Sequence, residues 1–303
     1  MNSLLLHSVS YAGLWGQAFL SVDQVVDKAA SLGFDGVMLM AKRPHLSVLD
    51  YGPAERAALR SRMEARGLRD LCLAGYCNLT ADLEHADIPQ RELQVVYLTE
   101  LARLAHDLGG SLVRVFTGYE SPAAGLTQQW KLIVDSLREA SKRASDFGVT
   151  LGVQNHHDIA VGYQSLHDLV TAVNQPNCKA LFDAWAPALH GDDLAEAARL
   201  LAPQTVHTTI ADYQLRPRFK YNPAILNYEA QKPSVVAVPM GEGFIDYATF
   251  LATLRAGGFQ GSIAYEMCSP LRDALGGDAG IETLDRYAGR FLEWIASQPV
   301  APR

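Results

Sequence analysis

Polar residues that can bind a metal ion recur at the ends of apolar, strand-like segments. The run Gln154–Asp158 (QNHHD) ends one such segment, Asp183 ends the next, and two later segments carry His207 and Glu266. One imidazole, two carboxylates and an amide oxygen form a ligand set for a divalent cation, whose charge the carboxylates would neutralise. The sequence therefore predicts a metal site at Gln154, Asp183, His207 and Glu266. Mn²⁺ is the expected ion, with Mg²⁺, Co²⁺ or Zn²⁺ as alternatives.

The same segments supply candidates for proton transfer. Side chains alternate along a strand, so His156 should face the same side as Gln154, whereas His157 should face the layer between barrel and helices. Imidazole titrates near neutral pH, which suits a general base. We predict His156 as the catalytic base, with Glu266 as the alternative. Each residue taken alone has a simpler interpretation, as a core histidine or a helix cap, but their shared position favours a site.

Several further side chains are predicted to lie on the same face and bind substrate. Each has a structural alternative, such as an ion pair, loop packing or a solvated loop. The candidates are Lys42, His45, Arg114, Trp15, Trp185 and Arg216.

The elements that must position these residues alternate along the whole chain. The predicted strands are Leu4–Ser10, Val37–Met40, Leu71–Tyr76, Leu112–Phe116, Thr150–Gln154, Lys179–Asp183, Thr205–Ile210 and Ser262–Met267. The predicted helices are Ser21–Gly33, Pro53–Gly67, Pro89–Gly109, Gln128–Phe147, Ser165–Val173, Leu194–Leu201, Tyr247–Ala256 and Ile281–Ser297. Eight strand–helix units with continuously apolar strands favour one α/β domain over residues 1–303, a (β/α)8 TIM barrel. An open doubly wound sheet is the alternative, but no Gly-x-Gly-x-x-Gly motif supports it.

One connection is disproportionately long. Residues 211–244 show no periodic segment and contain four prolines, at positions 217, 223, 233 and 239. Long loops in compact domains are usually functional. We therefore expect a structureless loop over the catalytic face.

Composition limits the classes of function. The 303 residues are 49% hydrophobic and carry a formal charge of -7, which argues against binding to a nucleic acid. The four cysteines form no Cys-x-x-Cys pair, and we expect reduced thiols. The N-terminal run MNSLLLHSVSYAG lacks a basic segment, and no apolar stretch reaches membrane-spanning length. A cytoplasmic protein is expected.

Five segments resemble the xylose isomerase-like barrel superfamily, which includes tagatose-type 3-epimerases, inosose dehydratases and endonuclease IV. They are GVTLGVQNHHD, CKALFDAWAP, TVHTTIADY, GEGFIDY and GSIAYEM, and the resemblance spans nearly the whole chain. It implies a metal site at Gln154, Asp183, His207 and Glu266. The family usually has Glu where this chain has Gln154. Because an amide cannot accept a proton, symmetrical two-carboxylate epimerisation is not expected.

A narrower resemblance is to the catalytic subunits of C-glycoside deglycosidases. It depends on Asn155-His156 and on the segment Lys42-Arg43-Pro44-His45. It implies a metal-dependent lyase that cleaves a 3-oxo-glycoside by β-elimination, with a small second subunit or a homo-oligomer as partner. The alternatives are a sugar isomerase or 3-epimerase of the tagatose type and a non-catalytic sugar-binding or scaffold barrel. An endonuclease would need a basic face that the charge does not provide.

Overall fold

Eight parallel strands close into a barrel, which confirms the predicted fold. The computed structural model describes residues 2–14, 16–85, 87–274 and 280–299, so that Trp15 lies outside the described residues. The strands are β1 (Leu4–His7), β2 (Gly36–Met40), β3 (Asp70–Ala74), β4 (Leu112–Val115), β5 (Thr150–Gln154), β6 (Cys178–Leu181), β7 (Thr205–Ile210) and β10 (Ser262–Tyr265). They follow one another around the barrel in the order β1-β10-β7-β6-β5-β4-β3-β2. Strands β4 and β10 are therefore opposite each other.

Helices lie between successive strands. Eight of those in the described residues match the helices that the apolar periodicity predicts, and the short helix Trp185–His190 was not predicted. The helices are α1 (Val22–Leu32), α2 (Pro53–Ala65), α3 (Gln90–Asp107), α4 (Leu126–Ser145), α5 (Tyr163–Val173), α6 (Trp185–His190), α7 (Leu194–Leu201), α8 (Tyr247–Ala256) and α9 (Ile281–Ser297). The predicted ends of α1 are confirmed. Ser21 and Gln24 form a reciprocal capping box, and Gly33 ends the helix with a φ of 93°. No helix in the described part of the chain has the length and apolar character needed to cross a membrane.

The core has two layers, one between the strands and the helices and one inside the barrel. The inner layer includes a small apolar cluster of Leu5, Met38, Cys72, Ala74, Leu181 and Ala264. Towards the carboxyl ends of the strands, polar side chains replace it, and His7 and Arg114 are almost completely buried there. Buried polar groups at this end of a TIM barrel mark the place where active sites form.

The prediction of a structureless loop over residues 211–244 is wrong, because most of this segment forms a β-hairpin. Strand β8 (Asp212–Asn222) pairs with β9 (Asn227–Val238) in antiparallel register, with an irregularity between Arg216 and Arg218 that accommodates Pro217. Beyond its base, both faces of the hairpin are mostly exposed. With no buried face there is no alternation of apolar and polar residues to indicate strands.

Candidate active site

A cavity of about 760 Å³ lies at the carboxyl ends of the barrel strands. Its volume is in the range of small-molecule sites. The side chains that follow or end the strands form its floor: Tyr76, Arg114, Gln154, Asp183, Thr209 and Glu266. Lys42, His156, His157, Trp185 and Tyr213 contribute to its walls.

The Asp183 carboxylate is held by donors from β5 and β7. Oδ1 accepts hydrogen bonds from the backbone N–H of Thr209 at 2.6 Å and from the Thr208 hydroxyl at 3.4 Å. Oδ2 accepts from the Thr209 hydroxyl at 2.6 Å and from the Gln154 amide. Burial raises the pKa of Asp183, and the bonds from Thr209 and Gln154 oppose that change. Four donors occupy both carboxylate oxygens.

Arg114 places a buried positive charge in the same cavity. Its guanidinium lies 3.9 Å from the ring centroid of Phe116 and 4.7 Å from that of Tyr76. Nη1 donates to the Gln154 carbonyl oxygen at 2.7 Å, whereas Nε and Nη2 have no partner among the described residues. Buried donors without partners are costly and rare. Both nitrogens are also shielded from solvent in this structure.

Glu266 follows β10, across the barrel from Arg114. Its side chain is 16% exposed, and burial raises its pKa to about 7, with Arg114 opposing and Asp183 reinforcing the shift. The Nε2 atom of His7 lies 3.8 Å from Glu266 Oε1. Because His7 Nδ1 accepts the backbone N–H of Val9, the proton of the neutral imidazole is on Nε2 and faces the carboxyl group.

Both histidines after β5 line the cavity, so the prediction that His157 faces the helices is wrong. The strand ends at Gln154, and a tight turn in which the His156 N–H bonds to the Gln154 carbonyl interrupts the alternation. His157 has a φ of 61° and a ψ of 159°, a region that residues other than glycine seldom adopt. Desolvation in the cavity and the positive charge of Arg114 lower the pKa of His156 and of His157 to about 4, although the His156 side chain keeps an exposed face.

The other predicted residues are divided between the cavity and the surrounding structure. Lys42 lines the cavity with Nζ 4.0 Å from the Tyr76 ring, and Trp185 lines it beside Tyr213. His45 does not reach it, because both ring nitrogens are bonded, to Ser8 Oγ and to the Leu20 carbonyl.

Arg216 and His207 also lie outside the cavity wall. Arg216 is on the hairpin, where its backbone pairs with Ser234. His207 is completely buried one layer deeper in the barrel, with Nδ1 2.8 Å from Ser262 Oγ.

The side chains at the floor do not fit a divalent metal ion. Within the described ranges, no group of three His, Cys, Asp or Glu side chains is placed to hold one. The residue of β7 beside Asp183 is Thr209 rather than His207. The Gln154 carbonyl already accepts from a cation, and the oxygens of Asp183 already accept from four donors. Of the four predicted ligands, Gln154, Asp183 and Glu266 line the cavity, whereas His207 does not.

Sequence reasoning missed two polar residues that organise the site. Thr209 was an equal candidate, since alternation puts it on the same face of β7 as His207. Asp212 is 3% exposed, and its carboxylate accepts backbone N–H groups of Gly241 and Gly243 at 2.9 and 2.8 Å. These bonds fix the base of the hairpin beside Tyr213.

Comparison with known proteins is consistent with this architecture. The 2-epi-5-epi-valiolone 7-phosphate 2-epimerase of Actinoplanes sp. is 30% identical over 175 residues, which cover 58% of this chain and 62% of that protein. The match thus leaves more than a third of the relative unaligned.

Solved structures show the same fold at low identity. D-psicose 3-epimerase from Clostridium cellulolyticum H10 superposes with a TM-score of 0.74 at 18% identity, covering 98% of this chain and 99% of that one. The IolI protein, crystallised with a zinc atom, gives 0.74 at 14% identity, with the same coverages. For 3-keto-D-glucoside 4-epimerase from E. coli the TM-score is 0.69 at 16% identity, covering 98% and 100%.

A family model matches most of the chain, over residues 26–287. The closed barrel, the polar carboxyl ends of the strands and this match agree. The chain belongs to the family of xylose isomerase-like TIM barrels.

Proposed function

We propose that this protein transfers a proton at a carbon beside the carbonyl group of a sugar-like ketone, and so acts as an epimerase or isomerase. The observation that carries the proposal is the position of Glu266 across the cavity from Arg114. One is a carboxyl group, and the other is a buried guanidinium of which two nitrogens bond to no described residue.

The two groups supply the two requirements of enolisation. Arg114 lines the cavity, and its positive charge stabilises the negative charge that develops on the carbonyl oxygen. Glu266, with a pKa of about 7, takes the proton from the adjacent carbon and can return it. A carboxyl group with this pKa exists in both protonation states near neutral pH.

Inversion at a carbon requires a second acid–base group on another wall. Gln154 cannot accept a proton. His156 follows β5, three strands away from β10 around the barrel, and its imidazole is neutral at pH 7 because its pKa is about 4. A neutral imidazole can accept a proton but cannot donate one to an enolate. In the inverting direction we therefore assign removal of the C–H proton on one face to His156 and delivery of a proton to the other face to protonated Glu266. Both groups then return to their starting states by proton exchange with solvent.

The relatives support an epimerase better than a 3-oxo-glycoside lyase. The Actinoplanes protein is an epimerase of a phosphorylated substrate, and two of the superposed structures are sugar epimerases. Elimination shares its first step with epimerisation and differs only in the loss of a neighbouring substituent. Product analysis therefore separates the two.

The test is incorporation of deuterium from D₂O into a panel of ketoses, cyclic polyhydroxy ketones and 3-oxo-glycosides, followed by NMR with and without Mn²⁺. We expect exchange at one carbon without release of a substituent. Glu266→Gln should lower the rate by about 10²-fold or more, the usual value of a general acid–base group. Glu64→Gln, at an exposed glutamate paired with Arg60, is the control. Equal exchange by Glu266→Gln and wild type would contradict the proposal.

A further inference from the structure

We propose that the guanidinium of Arg114 is the permanent cation of this active site and that the site binds no divalent metal ion. The inference draws on the proposed function only for the chemical role of Arg114. Metal binding can be measured without any substrate, so either proposal can fail independently of the other.

The register of β7 is the first observation. His207 pairs with Ser262 at the beginning of β10, whereas Thr209 pairs with Ala264, two residues nearer to Glu266. A metal ion in the layer of Asp183 would therefore meet the Thr209 hydroxyl. A neutral hydroxyl that already donates to Asp183 is a poor substitute for imidazole.

The bonds of Gln154 are the second observation. Its carbonyl oxygen accepts from Arg114, and its NH₂ group donates to Asp183. A side-chain amide has an oxygen that accepts hydrogen bonds and an NH₂ group that donates them, so Gln154 links a fixed cation to a fixed anion. A glutamate there would present a second acceptor to Asp183 and could not make the second bond.

The position of the positive charge is the third observation. Arg114 is 1% exposed, and a single amide, that of Gln154, bonds to its guanidinium at one end and to Asp183 at the other. Asp183 thus already has a cation nearby. A divalent ion in the same layer would be repelled by the guanidinium at short range in a poorly hydrated site.

The chemical consequence concerns the ligand that the site selects. A guanidinium is planar and offers its donors in a fixed fork, which matches carbonyl, enolate and carboxylate oxygens. The site should therefore select a ketone whose carbonyl oxygen lies next to the guanidinium, which the rings of Tyr76 and Phe116 hold in place.

The test is the binding of Mn²⁺ to the purified full chain, measured by isothermal titration and by mass spectrometry of the metal content after gel filtration. The wild type should retain no stoichiometric Mn²⁺. The variant Arg114→Met/Gln154→Glu/Thr209→His removes the resident cation and restores two ligands beside Asp183 and Glu266. It should bind about one Mn²⁺ per chain. Adding Asp183→Asn to that variant should abolish binding.

The proposal would be overturned if the wild type held about one Mn²⁺ per chain and the Asp183→Asn variant did not. A triple variant that is folded by circular dichroism and does not bind the ion would also overturn it. If the triple variant does not fold, the titration of the wild type still decides. If Arg114 is the cation of the site and no metal ion is bound, the rate of deuterium exchange should be the same with and without EDTA.

Discussion

The amide of Gln154 contacts a cation at one end and an anion at the other. Changing it to glutamate tests this arrangement directly. In Gln154→Glu, a carboxylate oxygen faces Asp183 where a donor was, so the pKa of the pair rises and one member resists ionisation. We expect a loss of about 1–3 kcal/mol in the free energy of unfolding at pH 8 and a smaller loss at pH 5, where one carboxyl is protonated. Urea unfolding at the two pH values measures it, and equal losses would contradict the arrangement.

The raised pKa of Glu266 predicts how the stability of the folded protein changes with pH. Its folded pKa of about 7 lies above the usual 4.5, so between these values the folded state binds more protons than the unfolded state. The stabilisation that comes from the protonated carboxyl group of Glu266 is fully present below pH 4.5, and it is lost as the pH rises through 7. Glu266→Gln should therefore gain stability relative to the wild type between pH 5 and pH 8, by up to about 3 kcal/mol. Urea unfolding across this range tests it, with Glu64→Gln as control. A constant difference would mean that Glu266 titrates normally.

At the scale of single residues, part of the site could be predicted from the sequence. Gln154, Asp183 and Glu266 do line one cavity, as do Arg114 and Lys42. The layer occupied by His207 could not be predicted, because His207 and Thr209 have the same parity along β7 and alternation does not distinguish layers. The turn after Gln154 likewise depends on backbone geometry that alternation ignores.

At the scale of elements, strands and helices were predictable because each has a buried face or is buried on both faces. Helix α1 has its predicted cap at Ser21, and α2 begins at the predicted Pro53. The hairpin was missed because its outer part buries neither face. Its base is nevertheless tightly fixed, by the bonds from Asp212 to the loop that contains Gly241 and Gly243.

A pair of glycines tests how strongly that base is constrained. A Cβ atom at Gly243 would lie 1.8 Å from Asp212 Oδ1, whereas at Gly289, within α9, nothing lies within 4 Å. Gly243→Ala must displace a buried carboxylate and should cost about 1–3 kcal/mol. Gly289→Ala should instead stabilise the protein by about 0.5–1 kcal/mol, since alanine favours the helix. Thermal unfolding compares the two, and a neutral Gly243→Ala would show that the loop can move.

At the scale of the whole molecule, the outer hairpin should be separable from the barrel. Its residues beyond Leu215 and Val235 are mostly exposed and do not belong to the core. Joining Leu215 to Val235 through Asn-Gly, a sequence suited to a tight hairpin turn, should leave the melting temperature within about 4 °C of the wild type. Calorimetry measures this. A large loss of cooperativity would show that the hairpin contributes to the folding unit.

Closure of the barrel gives each of its strands a partner on both sides. In the described part of the chain, the free strand edges of the named strands therefore belong to β8 and β9. Such edges invite pairing with another chain, and exposed Phe219, Leu226 and Tyr228 would reinforce it. Pro217 and Pro233 each remove a backbone donor from these strands. The resistance of the protein to edge-to-edge aggregation at high concentration should consequently depend on these two prolines, neither of which lines the candidate active site.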